Sequence, residues 1–508
     1  MQRIQPLEES FAPHSRWQER ILIYLLLAAA YTAFLLVFSA TTSPLTPGYY
    51  GGDSAVFQLF GRAWNAEHIP YRDFFDHKGP FIFFLNWLGE ALLPNRTGIF
   101  LIQILFGAFT MAGLYETARL RFRPAVSAGI ALYCLFCLVT WYGDGGNLTE
   151  EYCLPFLSWS LYFVVRYGLN PDQPHPPAWA ALYGAAFAVC LLTRLTNAIC
   201  LSVWVLAIVI HLIATKRWNN LLRNALAFLG GAAVFVLPFV LYFAAKGALG
   251  DLWFGMVGAN VSVANATRTL DQYDYSTVAY LRLTAKFIPL WLVLLGGVYR
   301  LIKKQLRLLS LALACSAALF LFYVYYYHTI FLHYQIVNLP LAVAGLILCL
   351  PAQTEPADRL VKPVRWMTYA LCAAMFAFAL NIAIHYEILP GNRAYQESVQ
   401  STQATAAMLD VIPDSERDSI AVYNIPTDVM LTADIIPCYP NSVCMVVQMR
   451  FTSIIADRVE QQFASCQAKW VLACNVTNAS VQQTLAEHYR PVMVSAPVEG
   501  YTLYRLLP

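Results

Sequence analysis

The acidic residues of this 508-residue chain that could carry out chemistry lie shortly after pairs of glycine. Asp53 follows one glycine pair directly, and Glu150 and Glu151 follow the sequence Gly-Gly-Asn-Leu-Thr. An ionised carboxylate within hydrogen-bond reach can accept the proton of a hydroxyl, so Asp53 could be a general base. The glutamates could orient a substrate or hold a metal. Acidic residues are also typical of helix N-termini, so capping is the alternative at each position.

A second charged stretch, from Tyr71 to Pro80, combines carboxylates, a histidine and a lysine. Its candidate site residues are Tyr71, Asp73, Asp76, His77 and Lys78. Proline is favoured in the first helical turn, so we predict a helix over 80–93, whose N-terminus suits a phosphate group. Lys78 could contact that phosphate, or it could be an ordinary interfacial lysine. Asp76 and His77 could bind a divalent metal, or they could have a structural role.

Arg194 is a charged residue between two apolar segments, 178–193 and 197–214. A charge close to a bilayer is costly, so Arg194 either binds an anion such as phosphate or extends to the lipid headgroups. Further polar groups follow in the stretch Tyr325–Pro340, where His328, His333 and Tyr334 are candidate site residues. The tyrosines there are also typical of an aromatic belt at a membrane surface.

The composition requires a membrane around these groups. Hydrophobic residues make up 58% of the chain and charged residues only 12%, against about 25% charged residues in soluble domains. The net charge of +3 gives no electrostatic reason to bind nucleic acid. We therefore predict an α-helical polytopic membrane protein with about eleven transmembrane helices of roughly 20 residues. The predicted segments are 21–40, 97–118, 124–141, 151–167, 178–193, 197–214, 222–245, 284–299, 306–326, 335–350 and 366–386.

Basic residues concentrate in alternate loops, which places the N-terminus in the cytoplasm by the positive-inside rule. The predicted domains are a cytoplasmic tail at 1–20, a transmembrane domain at 21–387 and an extracytoplasmic domain at 388–508. The transmembrane domain includes a first outer loop, 41–96, with interfacial helices. We found no nucleotide-binding glycine loop, Ser/His/Asp signature or zinc-protease motif.

The segment 388–508 has an ordinary soluble composition and predicts a small α/β domain. Helical stretches at 394–410, 454–466 and 479–489 alternate in it with the apolar runs Ser419–Tyr423, Trp470–Cys474, Val492–Ser495 and Tyr501–Leu506. It contains Cys438, Cys444, Cys466 and Cys474. In an oxidising compartment these could form disulfides, and local pairing, Cys438 with Cys444 and Cys466 with Cys474, is one of the possible arrangements.

Four stretches of the sequence resemble the membrane glycosyltransferases of the GT-C superfamily. The similar branch contains the aminoarabinose transferase of lipid A and the protein O-mannosyltransferases, and it includes bacterial members. The stretches are the Gly-Gly-Asp ending at Asp53, Tyr71–Pro80, Asn147–Phe156 and His333–Pro340. The resemblance implies a GT-C-like fold for 21–387. It also implies an inverting transfer of a sugar from a polyprenyl-phosphate donor to a hydroxyl of a lipid, glycan or protein acceptor. This reaction would occur at the outer face of the bacterial inner membrane.

The resemblance further assigns roles to single residues. Asp53 would be the general base, and Glu150 or Glu151 would support the site. The donor phosphate would be bound by Lys78 and Arg194, together with His333 and Tyr334. Relatives often have arginine in place of His333. No cofactor is implied with certainty, although a divalent metal is compatible with these residues.

A polytopic transporter or flippase of a lipid-linked or amphipathic substrate is the alternative function. Transporters place charges in the middle of spans and often show repeated halves. In this chain the charges gather at the outer ends of the predicted spans, and no repeat is visible. We therefore favour the transferase, and expect Asp53, the two glutamates, Lys78 and Arg194 to converge on one outward-facing cavity.

Overall fold

The computed structural model describes residues 15–93, 95–143, 145–266, 285–327, 331–351, 360–384 and 391–508. The chain divides into two compact units. The first unit comprises Met1–Ser39, Leu101–Pro238 and Gln272–Leu389. The second unit comprises Ala40–Phe100, Phe239–Asp271 and Pro390–Pro508.

A described helix overlaps each of the predicted membrane segments. These helices are α1 (Ser15–Phe38), α4 (Thr97–Arg119), α5 (Pro124–Trp141), α6 (Thr149–Leu169), α7 (Pro177–Leu191), α8 (Ile199–Ala214), α9 (Trp218–Ala245), α12 (Ile288–Ile302), α13 (Arg307–Tyr327), α14 (Leu339–Cys349) and α15 (Val361–Ile382). By length and composition, 7 of the described helices could cross a membrane: α1, α4, α5, α8 with the short segment before it, α9, α13 and α15. The others are shorter or, like α6, begin with charged residues. The structure therefore supports 7 candidate spans among the described residues, and the total of about eleven stays a prediction.

Small residues allow close helix packing in the first unit, as is typical of membrane helices. A Cβ atom added to Gly184 of α7 would lie 1.9 Å from the carbonyl oxygen of Phe228 in α9. A Cβ added to Gly231 of α9 would lie 1.9 Å from the carbonyl oxygen of Ala181. Because each glycine faces the backbone of the other helix, a larger residue at either position would force the two helices apart.

The second unit begins with the loop that leads from α1 to α2 (Asp53–Asn65). Arg96 fixes this loop by donating hydrogen bonds to the carbonyl oxygens of Thr41 and Thr46, at 3.1 and 3.0 Å, and of Tyr49. Gly51 then adopts a left-handed conformation with φ of 71°, which glycine tolerates without strain. The predicted glycine turn is thus present immediately before α2.

Helix α3 (Pro80–Leu92) begins with proline at its first position, as predicted. It packs against α2, where a Cβ on Gly61 would lie 2.6 Å from the backbone of Asn86. Two short helices, α10 (Leu249–Trp253) and α11 (Ala259–Ala266), also belong to this unit. They are joined by the π-helical turn Phe254–Gly258.

The terminal segment contains a four-stranded sheet in the order β1-β2-β4-β3. The strands are β1 (Ile420–Tyr423), β2 (Trp470–Cys474), β3 (Tyr489–Pro491) and β4 (Tyr501–Leu506), with β1 and β2 parallel and the other pairs antiparallel. The helices are α16 (Gly391–Ala407), α17 (Thr427–Thr432), α18 (Met445–Phe451), α19 (Ser453–Ala464) and α20 (Ala479–His488). Three strands lie on predicted apolar runs. The predicted run Val492–Ser495 is wrong, because the pairing of β3 with β4 begins at Tyr489. The Tyr489 hydroxyl donates to the carbonyl oxygen of Ala468 at 2.8 Å.

One hydrophobic core joins this sheet to the rest of the second unit. Phe75 from the loop between α2 and α3 and Ala259 from α11 are buried together with Ala421, Val471 and Phe463 of the terminal segment. The backbone N–H of Phe75 also donates to the carbonyl oxygen of Pro440 at 2.9 Å. The terminal segment and the loop that carries Asp53 therefore fold as parts of one unit, while the limits of the three predicted domains stay a prediction.

The four cysteines of the terminal segment are free thiols in this structure, so none of the possible pairings is formed in it. Cys438 and Cys466 pack against the hydrophobic core of the sheet. Cys444 instead lines a pocket next to Asp53, and Cys474 ends β2, where its register partner is Tyr501 of β4. Neighbours in sequence are thus directed to different surroundings by the strands and short helices between them.

Candidate functional site

Asp53 and Lys78 form an ion pair at the start of α2. The Oδ2 atom of Asp53 lies 3.4 Å from Nζ of Lys78. Asp53 is not the N-cap residue, because Gly52 occupies that position, but Asp53 does lie in the first turn of α2. The Asp53 side chain is 36% exposed, whereas that of Lys78 is 15% exposed. The carboxylate is therefore held by a cation and still accessible.

Asp76 is the second carboxylate at Lys78, with its Oδ2 atom 3.6 Å from Nζ. Its side chain is buried, and Oδ1 accepts a hydrogen bond from the backbone N–H of His77 at 2.8 Å. The Nε2 atom of Gln448 donates to the same oxygen at 3.5 Å. Burial alone would raise the pKa of the Asp76 carboxyl, but Lys78 and His77 outweigh burial and hold that pKa well below its usual range. Asp76 is therefore ionised at neutral pH and fixes Lys78 in place.

Tyr71 and Asp73 shape the loop around this pair. The Tyr71 hydroxyl donates to the carbonyl oxygen of Lys78 at 2.6 Å, and the buried ring packs against Phe83 and Phe243. Asp73 accepts from the backbone N–H of Ile69 at 2.7 Å and pairs with Arg72. Both candidates therefore position Lys78 and its loop, and their contacts are with the protein.

The predicted metal site at Asp76 and His77 has no support in the described part of the chain. Among the described residues, no group of three or more histidine, cysteine, aspartate or glutamate side chains could hold a metal ion. His77 contacts Asp76 through Nδ1 at 3.0 Å, and the Lys78 ammonium supplies the positive charge. The Lys78 ammonium thus pairs with the Asp76 carboxylate that a metal ion would need as a ligand.

We expect Lys78→Met to destabilise the second unit, because it leaves the buried Asp76 carboxylate without its ammonium. Breaking such a pair costs about 3–5 kcal/mol. The melting temperature in detergent should fall, and adding Asp76→Asn in the same chain should restore most of it. Since the pKa of Asp76 is depressed on folding, wild type should keep this stability at neutral pH and lose it as the pH falls towards that pKa. An unchanged melting temperature in Lys78→Met would contradict the pairing.

A pocket of about 440 Å³ opens beside Asp53 in the second unit. Its other walls come from the terminal segment, including Asn424, Asp428, Cys444 and Met445. The sequence analysis missed these residues. A signal was present, because the polar stretch Asn424–Asp428 directly follows β1, and ligands often bind at the carboxyl ends of parallel strands.

A second cluster lies in the first unit, around Arg194. Its Nη1 atom lies 3.5 Å from Oε1 of Glu150, whose side chain is only 1% exposed. The guanidinium also stacks over the ring of Tyr334, 3.4 Å from the ring centroid. His333 contacts Tyr334 edge to face, with centroids 4.6 Å apart. Arg194 is therefore oriented from two sides, which is more than an arginine extending to the headgroups requires.

Glu151 has different partners from Glu150. Its Oε1 atom accepts the backbone N–H of Leu148 at 2.9 Å, just before α6 begins. Its Oε2 atom accepts from Nε2 of Gln103 at 2.9 Å and from the hydroxyl of Tyr142. The capping interpretation is therefore confirmed for Glu151, whereas Glu150 is the acid that meets Arg194.

The described candidates thus form two clusters, each within its own unit. One contains Asp53, Asp76, His77 and Lys78, and the other contains Glu150, Arg194, His333 and Tyr334. His328 lies outside the described residues. The expectation that both clusters serve one cavity stays a prediction.

Comparison with known proteins shows what this chain is similar to in sequence and in fold. The family model for dolichyl-phosphate-mannose-protein mannosyltransferase matches residues 77–243. The fold resembles that of ArnT from Cupriavidus metallidurans bound to undecaprenyl phosphate, with a TM-score of 0.58, 13% sequence identity and coverage of 97% of this chain and 98% of that chain. The resemblance to the GT-C membrane glycosyltransferases is confirmed.

The apo state of the same ArnT is similar as well, with a TM-score of 0.57, 13% identity and coverage of 96% and 98%. No curated protein matches the chain. The comparisons indicate a multi-pass membrane protein with a GT-C glycosyltransferase fold. The region matched by the family model contains Lys78, Glu150 and Arg194 but begins after Asp53.

The two neighbouring glutamates of this GT-C fold should respond differently to substitution. We expect Glu151→Gln to lower the melting temperature, because the amide cannot accept all the hydrogen bonds that the carboxylate receives. Removing one such charge-assisted bond costs about 1.5–3 kcal/mol. We expect Glu150→Gln to lower the melting temperature less, because its amide oxygen can still accept from Arg194, and to lower the transferase activity. Equal melting temperatures and equal turnover for the two variants would contradict this division of roles.

Proposed function

We propose that this chain transfers a sugar from a polyprenyl-phosphate donor to a hydroxyl acceptor at the outer face of the membrane, with inversion at the sugar. The observation that carries the proposal is Asp53, which pairs with Lys78 and lies at the start of α2 in the wall of a pocket of about 440 Å³. A partly exposed carboxylate within hydrogen-bond reach of a hydroxyl can act as a general base for it. The similarity in fold to ArnT bound to undecaprenyl phosphate supports the donor class.

The proposed reaction is a single displacement. The acceptor oxygen attacks the anomeric carbon, the bond from that carbon to the phosphate oxygen breaks, and polyprenyl phosphate leaves. Asp53 accepts the proton of the acceptor hydroxyl. Lys78 pairs with the carboxylates of Asp53 and Asp76, and remains a candidate contact for the donor phosphate.

We assign stabilisation of the leaving phosphate mainly to Arg194. A guanidinium presents a planar set of N–H donors that suits phosphate oxygens. Glu150 and Tyr334 hold it in one orientation, and His333 packs behind Tyr334. Such preorganised donors stabilise negative charge that develops in the transition state.

The proposal includes the predicted topology. About eleven spans of roughly 20 residues would place the N-terminus in the cytoplasm and 388–508 outside, in the bacterial inner membrane. The acceptor would be a lipid, glycan or protein hydroxyl. No step of the proposed reaction passes through a metal or another cofactor.

The test is a transfer assay in proteoliposomes. Purified protein is supplied with radiolabelled polyprenyl-phosphate sugars and a pool of membrane lipids, glycans and proteins. We expect label to move from the donor to a new product only when the protein is present. Donor that stays intact across a full set of sugars and acceptors would contradict the proposed function.

A further inference from the structure

The segment that follows α9 exposes a row of apolar side chains. The row consists of one residue in every four: Leu249, Trp253, Val257 and Val261. Steps of four residues overrun a 3.6-residue helical turn by about 40° each. The π-helical turn Phe254–Gly258 lies in the middle of the row and is wider than an α-helical turn, so it offsets part of this drift. The four side chains therefore stay on one face of α10 and α11.

The opposite face of this segment packs against the loop between α2 and α3. A Cβ atom on Gly255 would lie 2.3 Å from Cδ1 of the Tyr71 ring, so the backbone of the π turn touches that ring directly. The rings of Phe254 and Phe75 also meet, with centroids 5.5 Å apart. The segment thus contacts two residues of the loop that carries Lys78.

A hydrogen bond ties the same segment to the residue next to Lys78. The Nδ2 atom of Asn260 donates to the carbonyl oxygen of His77 at 2.7 Å. Tyr71, which lies against Gly255, donates through its hydroxyl to the carbonyl oxygen of Lys78 at 2.6 Å. The backbone of Lys78 is therefore held on both sides by groups whose positions depend on this segment.

The surroundings of the exposed row indicate that lipid covers it. Helix α9 could cross a membrane by length and composition, with 11% of its apolar window buried, and it ends at Ala245, shortly before α10 begins. Apolar exposure continues from Leu241 in the last turns of α9 to Leu249 and Trp253. Tryptophan is enriched at membrane–water interfaces. The exposed Lys246 between the two helices can reach lipid headgroups. The row is thus a continuation of the lipid-facing surface of α9.

We propose that residues 249–262 form a membrane arm, which inserts its exposed apolar row into the lipid surface and holds the Lys78 loop with its opposite face. Amphipathic helices of this kind bury their apolar face about 5–10 Å into the boundary between headgroups and acyl chains. The bilayer itself then helps to position Lys78. The inference goes beyond the proposed function, and its tests need no sugar donor, so they succeed or fail independently of transfer.

The first experiment detects lipid at the row by photo-crosslinking. The full chain is placed in nanodiscs of phosphatidylcholine and phosphatidylglycerol, with p-benzoylphenylalanine in place of Trp253 or Val257. The control carries the same group in place of Glu487, an exposed charged residue of the terminal segment. We expect lipid adducts by mass spectrometry at 253 and 257 but not at 487. No lipid adduct at the row, or crosslinks to a second copy of the chain in place of lipid, would overturn the inference.

The second experiment tests whether the arm holds the loop, by hydrogen–deuterium exchange in the same nanodiscs. Trp253→Glu puts a charge into the row. We expect it to abolish the lipid adduct at 257 and to remove protection from the amides of Tyr71 and Asp73, which donate hydrogen bonds within the loop. The matched control, Val411→Glu, makes the same kind of change at an exposed apolar residue of the same unit outside the row. It should leave both readouts unchanged.

Asn260→Leu separates the two faces of the arm. It removes the hydrogen bond to His77 and leaves the apolar row intact. We expect the lipid adduct at 253 to persist in this variant while exchange over residues 71–78 becomes faster. Exchange over 71–78 that is the same in wild type, Trp253→Glu and Asn260→Leu would overturn the inference, because the loop would then not depend on the arm.

Discussion

Asp53→Asn is expected to lower the rate of sugar transfer by roughly 10²–10⁴-fold, the usual loss when a general base is removed. The amide has nearly the shape of the carboxylate, but it cannot accept a proton from the acceptor at neutral pH. Binding of the donor should change little, because Asp53 is assigned to the acceptor proton and not to the phosphate. The measurement is kcat at saturating donor and acceptor, together with the donor Kd.

The matched control for this variant is Asp434→Asn. Asp434 is an aspartate of the same unit that pairs with Arg62 at 2.7 Å and is 81% exposed. It should keep the wild-type rate, and both variants should keep a cooperative melting transition. If Asp53→Asn retained more than a tenth of the wild-type rate, Asp53 would not be the base.

Arg194→Ala is expected to reduce kcat by roughly 10²–10³-fold, the typical loss when one donor to developing negative charge is removed. The effect should fall on kcat more than on the donor KM, because the phosphate gains charge as it leaves the sugar. Removal of the guanidinium also leaves Glu150 buried without its cation. The double variant Arg194→Ala with Glu150→Gln should therefore recover stability but not activity.

Arg194→Lys separates charge from geometry. Lysine keeps the positive charge but cannot stack flat on Tyr334 or present a planar fork of donors. We expect an activity between those of wild type and Arg194→Ala. Arg223→Ala, an exposed arginine on α9, is the control and should behave as wild type. A wild-type kcat in Arg194→Ala would refute the assignment of the phosphate to this residue.

The positions of the helices could be predicted because lipid makes hydrophobicity a direct signal. Long apolar runs such as that of α9 can only be helices in a bilayer, and the start of α3 follows from Pro80. The start of α2 could be predicted as well, because the glycine pair before Asp53 indicates a turn and Gly51 adopts a left-handed conformation. The third strand was misplaced because a three-residue strand at Tyr489 leaves no alternating pattern to detect.

The sequence indicated which residues are candidates for the site, but it did not indicate which residues they contact. The types and spacing of Asp53, Lys78 and Arg194 made them candidates, but the spacing did not show that Asp76 is the second carboxylate at Lys78. The two adjacent glutamates were indistinguishable, because only contacts with distant residues such as Gln103 and Arg194 separate their roles. The pocket walls at Asn424 and Cys444 come from the far end of the chain, so no local pattern could connect them to Asp53.

The most direct test of the account is the stoichiometry of the donor reaction. A polyprenyl-phosphate sugar labelled in both the sugar and the phosphate is followed in proteoliposomes by thin-layer chromatography. The account predicts that one polyprenyl phosphate appears for each sugar transferred, and that both products disappear together in Asp53→Asn. Intact donor that merely moves between the two leaflets, with no free polyprenyl phosphate formed, would contradict the account and favour a flippase.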